Sequence, residues 1–108
     1  MKHAVKYALL AVAGLLAVTV NGHAFEQNDL DKLKATGNCE KCDLNFAYLK
    51  QADLKGANLE KASLREAEMK EADLGGANLA RADLRRAELE KASLQGARLT
   101  GAKLRRSE

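Results

Sequence analysis

From residue 42 onward the apolar positions recur in fives. Ala stands at 47, 52, 57, 62, 67, 72, 77, 82, 87, 92, 97 and 102, and Leu, or Met at 69, follows two places later every time. The same phase reaches back one unit to Cys42-Asp43-Leu44, giving thirteen units over residues 42–106. Five residues advance an α-helix by about 500°, so successive Leu positions rotate by about 140° and circle the axis without forming a stripe. In a continuous strand, an odd period sends alternate Leu side chains to opposite faces. The pattern is satisfied if the chain turns a corner of about 90° every five residues, so that each Leu and the Ala two places before it face one axis. Four such sides close a coil of twenty. Residues 57–76 and 77–96 support that number independently: they share eleven identities, and four of these (Asn58/Asn78, Arg65/Arg85, Glu68/Glu88 and Gly76/Gly96) lie outside the Ala and Leu framework.

The expected core is therefore a ladder of four columns: Leu44-Leu64-Leu84-Leu104, Leu49-Met69-Leu89, Leu54-Leu74-Leu94 and Leu59-Leu79-Leu99. With coils stacked about 4.8 Å apart, about three coils make a stub some 15 Å tall, and its ends matter in proportion. Upstream, Asn28 to Gly37 predicts one short α-helix. Asn28 or Asp29 can cap its start, Leu30 and Leu33 share a face, and Gly37 ends it. This helix is expected to cover the first coil, with Phe46 and Tyr48 packed beneath it. No second helix is predicted downstream of Leu104, so that end is expected either to rely on charge or to meet a second copy of the chain as a homodimer.

Residues 1–24 read as an address. Lys2, His3 and Lys6 precede the uncharged run Tyr7 to Val20, and Gly22-His23-Ala24 offers a small-x-small cleavage site. Those are the parts of a secretory signal peptide, and fourteen apolar residues are short for a membrane span. Cleavage is expected after Ala24, placing the mature chain in the periplasm or outside a bacterial cell and not across a membrane. The organisation is then a signal peptide over 1–24, a capping helix and junction over 25–41, and the repeat array over 42–106.

Composition changes this picture in one respect. The whole chain carries a net charge of +3, but cleavage removes two lysines and both histidines, leaving 16 basic against 15 acidic residues. A mature chain without His gives Ser63, Ser93 and Ser107 no base to activate them, so no catalytic residue set and no cofactor or small-molecule substrate is expected.

A tandem A(D/N)LXX pattern resembles the pentapeptide-repeat family. The resemblance covers the thirteen units of residues 42–106 and implies an all-β solenoid, a right-handed quadrilateral β-helix. Some family members act on DNA gyrase by imitating duplex DNA. That role is the alternative here, disfavoured because a DNA mimic must be strongly negative, whereas this array is basic and follows a segment that reads as an export address. Nucleic acid is accordingly not the expected partner. The expected function is a small exported scaffold or binding module for a protein or an anionic surface.

Two residue groups stand out. Cys39 and Cys42 form a CxxC at inward-facing positions; the sequence reads as a structural disulfide, with a pair of buried thiols as the alternative. Zinc would need two further ligands, which the mature chain does not supply as His or Cys. The second group is a corner where Arg65, Arg85 and Arg105 fall in one column and Arg86 and Arg106 in the next. These five could hold phosphate-rich partners, or they could form an ordinary solvated corner. Opposite charges also face each other one coil apart, notably Lys70 with Glu90, Glu71 with Lys91 and Glu66 with Arg86.

Overall fold

A computed structural model describes residues 26–108. The predicted signal peptide and its cleavage site lie outside the described residues. Helix α1 spans Gln27–Thr36, and the rest of the chain winds as a coil. Ten parallel bridges run from Asn38 with Asn58 to Asp83 with Lys103, and every pair is separated by twenty residues. The coil length expected from the repeat is thus the observed one. Each side contributes a single bridge residue and no extended strand. The reason is the corner: five residues per side leave three once the turn has taken two.

Backbone bonding repeats with the sequence. The central Leu44 N–H donates to the Ser63 carbonyl (2.7 Å), Phe46 N–H to the Arg65 carbonyl (2.9 Å), and Ser63 N–H back to the Cys42 carbonyl (2.8 Å). At the corner, Ala47 N–H donates to the Leu44 carbonyl (3.1 Å) and closes a four-residue turn. The third residue of each turn has positive φ. Glycine fills that place at 56, 76, 96 and 101, but ten corners hold other residues at φ of 56° to 64°. Such a conformation costs on the order of 1 kcal/mol per non-glycine residue and persists where surrounding bonds over-determine it.

One N–H per unit remains, that of the residue after the central Leu. Where the residue just before that Leu is Asp or Asn, its side chain is the partner. Asn58 Oδ1 accepts from Glu60 N–H (3.2 Å), Asp73 Oδ1 from Gly75 N–H (3.0 Å), Asn78 Oδ1 from Ala80 N–H (3.1 Å) and Asp83 Oδ1 from Arg85 N–H (3.2 Å). This is the physical reason for Asp or Asn at the second place of the repeat: a short side-chain acceptor closes a local turn that a longer one cannot.

The interior is apolar and built almost wholly from Leu and Ala. Every Leu, Met69 and Ala on the inward positions from Ala47 to Ala87 is buried, and among the described residues no polar or charged residue is. In the last coil Leu89, Leu94 and Leu99 are partly buried, and Leu104 is 40% exposed.

At the other end α1 lies on the first coil through Leu30 and Leu33, both buried. Its start differs from the expected capping. Glu26 holds the N-cap position without a side-chain cap bond, and Glu26 N–H donates to the Asp43 carbonyl (3.1 Å). Asp29 Oδ2 instead accepts from Asp43 N–H (2.7 Å), so this carboxylate ties the helix to the array and does not cap it. Gly37, at φ 70°, ends the helix, its N–H donating to the Leu33 carbonyl (2.8 Å). Phe46 is 43% exposed and is not packed beneath α1. It occupies the positive-φ place of its turn, a corner position that directs side chains away from the axis.

Candidate functional site

The arginine corner is built by the same turns. Arg65, Arg85 and Arg105 each follow a central Leu, and Arg86 and Arg106 take the positive-φ places beside them. Ladder bonds fix their stacking: Glu66 N–H donates to the Arg85 carbonyl (3.0 Å), and Arg86 N–H to the Arg105 carbonyl (3.1 Å). The five arginines line one open concavity of about 210 Å³. Arg85 is anchored. Its Nε and Nη2 donate to Asp83 Oδ1 (2.8 Å) and Oδ2 (2.7 Å), a two-pronged pair that the side-chain bond to the backbone reinforces. The Arg85 bonds hold the Asp83 carboxyl below its usual range, and Asp83 in turn raises the Arg85 guanidinium. The backbone of Arg65 is held by Asn45 Oδ1 (2.9 Å). Among the described residues the other four arginines have no ion pair.

A second concavity of about 550 Å³ adjoins the first and is lined by Glu66, Arg86, Glu88, Arg106, Ser107 and Glu108. Arg86 and Arg106 are shared between the two. The expected Glu66–Arg86 pair does not form within ion-pair distance. The next corner around the prism behaves differently: Lys70 Nζ lies 3.8 Å from Glu90 and 3.9 Å from Glu88. Glu71 does not pair with Lys91 as expected, because Gln51 Nε2 reaches its carboxylate first at 3.0 Å.

Cys39 and Cys42 are buried at the junction with their sulfurs 2.13 Å apart, at disulfide distance, and their Cα atoms 5.2 Å apart. The Cys39 sulfur also touches the Asp29 carbonyl of α1 at 3.2 Å. The helix, the cysteine pair and Asp43 therefore form one contact set. Sequence reasoning missed the anchoring roles of Asp83 and Asn45. The only available signals were an Asp two places before Arg85 and an Asn one coil below Arg65.

Comparison with known proteins now decides the family. The profile described as Pentapeptide repeats matches residues 42–79 and 67–106, in eight copies, which together take in more than half of the chain. The chain belongs to the pentapeptide-repeat family. Proteins of this family fold as right-handed quadrilateral β-helices, in accord with the twenty-residue coils described above. Among solved pentapeptide-repeat structures, the chain is similar to HetL, a protein involved in heterocyst differentiation regulation from the cyanobacterium Nostoc sp. strain PCC 7120. The identity is 42% and the TM-score 0.64, over 68% of this chain and 35% of HetL. It is also similar to Rfr23 from the cyanobacterium Cyanothece 51142, with 30% identity and a TM-score of 0.56, over 65% of this chain and 52% of Rfr23. The chain therefore spans about a third of the first relative and about half of the second. A comparison with curated proteins gives no match. Among the described residues of this pentapeptide-repeat chain, no helix is long and apolar enough to cross a membrane, and no group of acidic, His or Cys side chains is arranged to hold a metal ion.

Proposed function

We propose that this pentapeptide-repeat chain is an exported, non-catalytic binding module that presents a fixed surface to a partner in the periplasm or outside the cell. The observation that carries the reading is the bridge ladder at a constant offset of twenty, which holds outward side chains in columns on an apolar core. A surface of that kind presents a repetitive pattern at little ordering cost on binding, which favours recognition. Export is supported by the basic, apolar and small-residue succession of residues 1–24 and by a cysteine pair at disulfide distance, which suits an oxidising compartment. Non-catalytic character is supported by the loss of both histidines with the signal segment and by the open, charged concavities of the prism.

The test is fractionation of bacterial cells producing the full chain, with N-terminal sequencing of the product. The expected protein is periplasmic or secreted and begins at Phe25. Recovery of uncleaved protein from the cytoplasm would overturn the export reading.

A further inference from the structure

One corner of the prism departs from the charge pattern of the other three. The corner built on Arg65, Arg85, Arg86, Arg105 and Arg106 has a single acid, Glu66, among its turn residues and so carries +4. Each of the other three corners carries +1 over its turn residues. Like charges stacked on neighbouring rungs, about 4.8 Å apart, work against the fold. At the corner of Lys50, Lys70, Glu71, Glu90 and Lys91 the chain relieves this by mixing signs down the column, with Lys70 between two glutamates. Among the described residues, Arg85 alone at the arginine corner has an ion pair, with Asp83. That pair leaves three guanidinium N–H groups of Arg85 for another acceptor and fixes the plane from which they point.

All five cations are arginine. A guanidinium presents its donors as a flat fork matched to the oxygens of a phosphate, which an ammonium does not. The concavity of about 210 Å³ is smaller than the roughly 300 Å³ at which pockets for drug-sized ligands begin. It suits a compact, multiply charged anion. Glu66 and Glu88 stand on the adjoining concavity beside Arg86 and Arg106, and Arg85 is paired with Asp83, so the least opposed donors are those of Arg65 and Arg105.

We propose that this corner binds closely spaced phosphate groups, as in a diphosphate, either free in solution or carried on a lipid headgroup. The inference rests on the reading of the prism as a binding module and names the ligand class for it. Pyrophosphate, titrated calorimetrically into the mature protein at low salt, is the first probe; phosphatidylcholine vesicles carrying phosphatidic acid, in a flotation assay, are the second. The double variant Arg65→Gln/Arg105→Gln is compared with Lys50→Gln/Lys91→Gln, which removes the same charge from the neighbouring corner. All four sites lie on exposed turns, and urea unfolding checks that both variants keep the wild-type midpoint.

Binding by the wild type is expected to weaken at least about tenfold in the arginine variant, as for loss of charged hydrogen bonds, and to persist in the lysine variant. Pyrophosphate binding without vesicle flotation assigns a free ligand. Flotation that pyrophosphate competes away assigns a headgroup phosphate. Failure of the wild type to bind either probe, or equal loss in both variants, overturns the proposal. Neither failure touches export, which fractionation measures separately.

Discussion

Leu64 occupies the middle of the column Leu44, Leu64, Leu84 and Leu104, and the column offers its own control. The first three leucines are fully enclosed, whereas Leu104 is 40% exposed. Truncating Leu64 to Ala empties a site with a Leu one coil away on each side. The walls cannot close on it. Leu64 N–H is fixed to the Asp83 carbonyl (2.7 Å) and Leu44 N–H to the Ser63 carbonyl (2.7 Å), and the flanking alanines are too short to fill the space. The loss should fall in the upper part of the range for buried Leu to Ala, about 3–5 kcal/mol. For Leu104→Ala, with part of the side chain already in water, about 1 kcal/mol is expected. Domains of this size hold roughly 4–12 kcal/mol in total, so the first change removes a quarter of the stability or more. At about 4–8 °C per kcal/mol, Leu64→Ala should lower Tm by at least about 12 °C and Leu104→Ala by less than about 8 °C. Urea unfolding followed by far-UV circular dichroism reads both, provided the slope m is unchanged. Equal midpoints for the two variants would refute an enclosed interior.

Three further outcomes are expected. Asn78→Ala leaves the N–H of Ala80, a largely buried residue, without its side-chain acceptor and should cost about 1 kcal/mol; Arg98→Ala, one rung along in the same column, should change little, and equal costs would remove the turn-closing role of Asn78. Thiol titration of unfolded protein without reductant should find no free thiol at Cys39 and Cys42, and reduction should lower stability by about 2 kcal/mol for so short a loop; two reactive thiols at the outset would contradict the bonded pair. The carboxyl of Asp83 is depressed by Arg85, so its stabilisation is complete above the ordinary value near 4 and is lost as pH falls through the lower folded value. Asp83→Asn should therefore be less stable than wild type near about pH 7, with the gap narrowing toward about pH 3; a gap independent of pH would refute the pairing.

The sequence makes the interior legible because the interior has almost no freedom. A tube this narrow accepts Ala and Leu and little else, so position within the repeat fixes burial, and the offset of twenty fixes which residues stack. The corner surfaces are less legible because side chains there choose among several partners. Glu71 faces Lys91 one coil away, yet bonds to Gln51 on the other side. Phe46 is apolar but sits where the turn points outward, and backbone geometry prevails over hydrophobicity. Asp29 looks like a helix cap in the sequence; the free N–H of Asp43, fourteen residues on, makes a better use of its carboxylate. In each case the deciding neighbour is remote in sequence. The five arginines are the exception: with no competing acid within their own columns except Glu66, their grouping follows from position alone.

The constant offset also makes changes of length act like gear teeth. Excising residues 67–71 would leave the hydrophobic axis intact, since Ala72 and Leu74 inherit the places of Ala67 and Met69. Everything beyond the join would then arrive a quarter turn early, and Arg85 would stand over Glu60, no longer over Arg65. Excising residues 67–86 instead would bring Arg105 back into alignment with Arg65. A chain of this design can gain or lose single pentads without unfolding, but only whole revolutions preserve what is written on its outside.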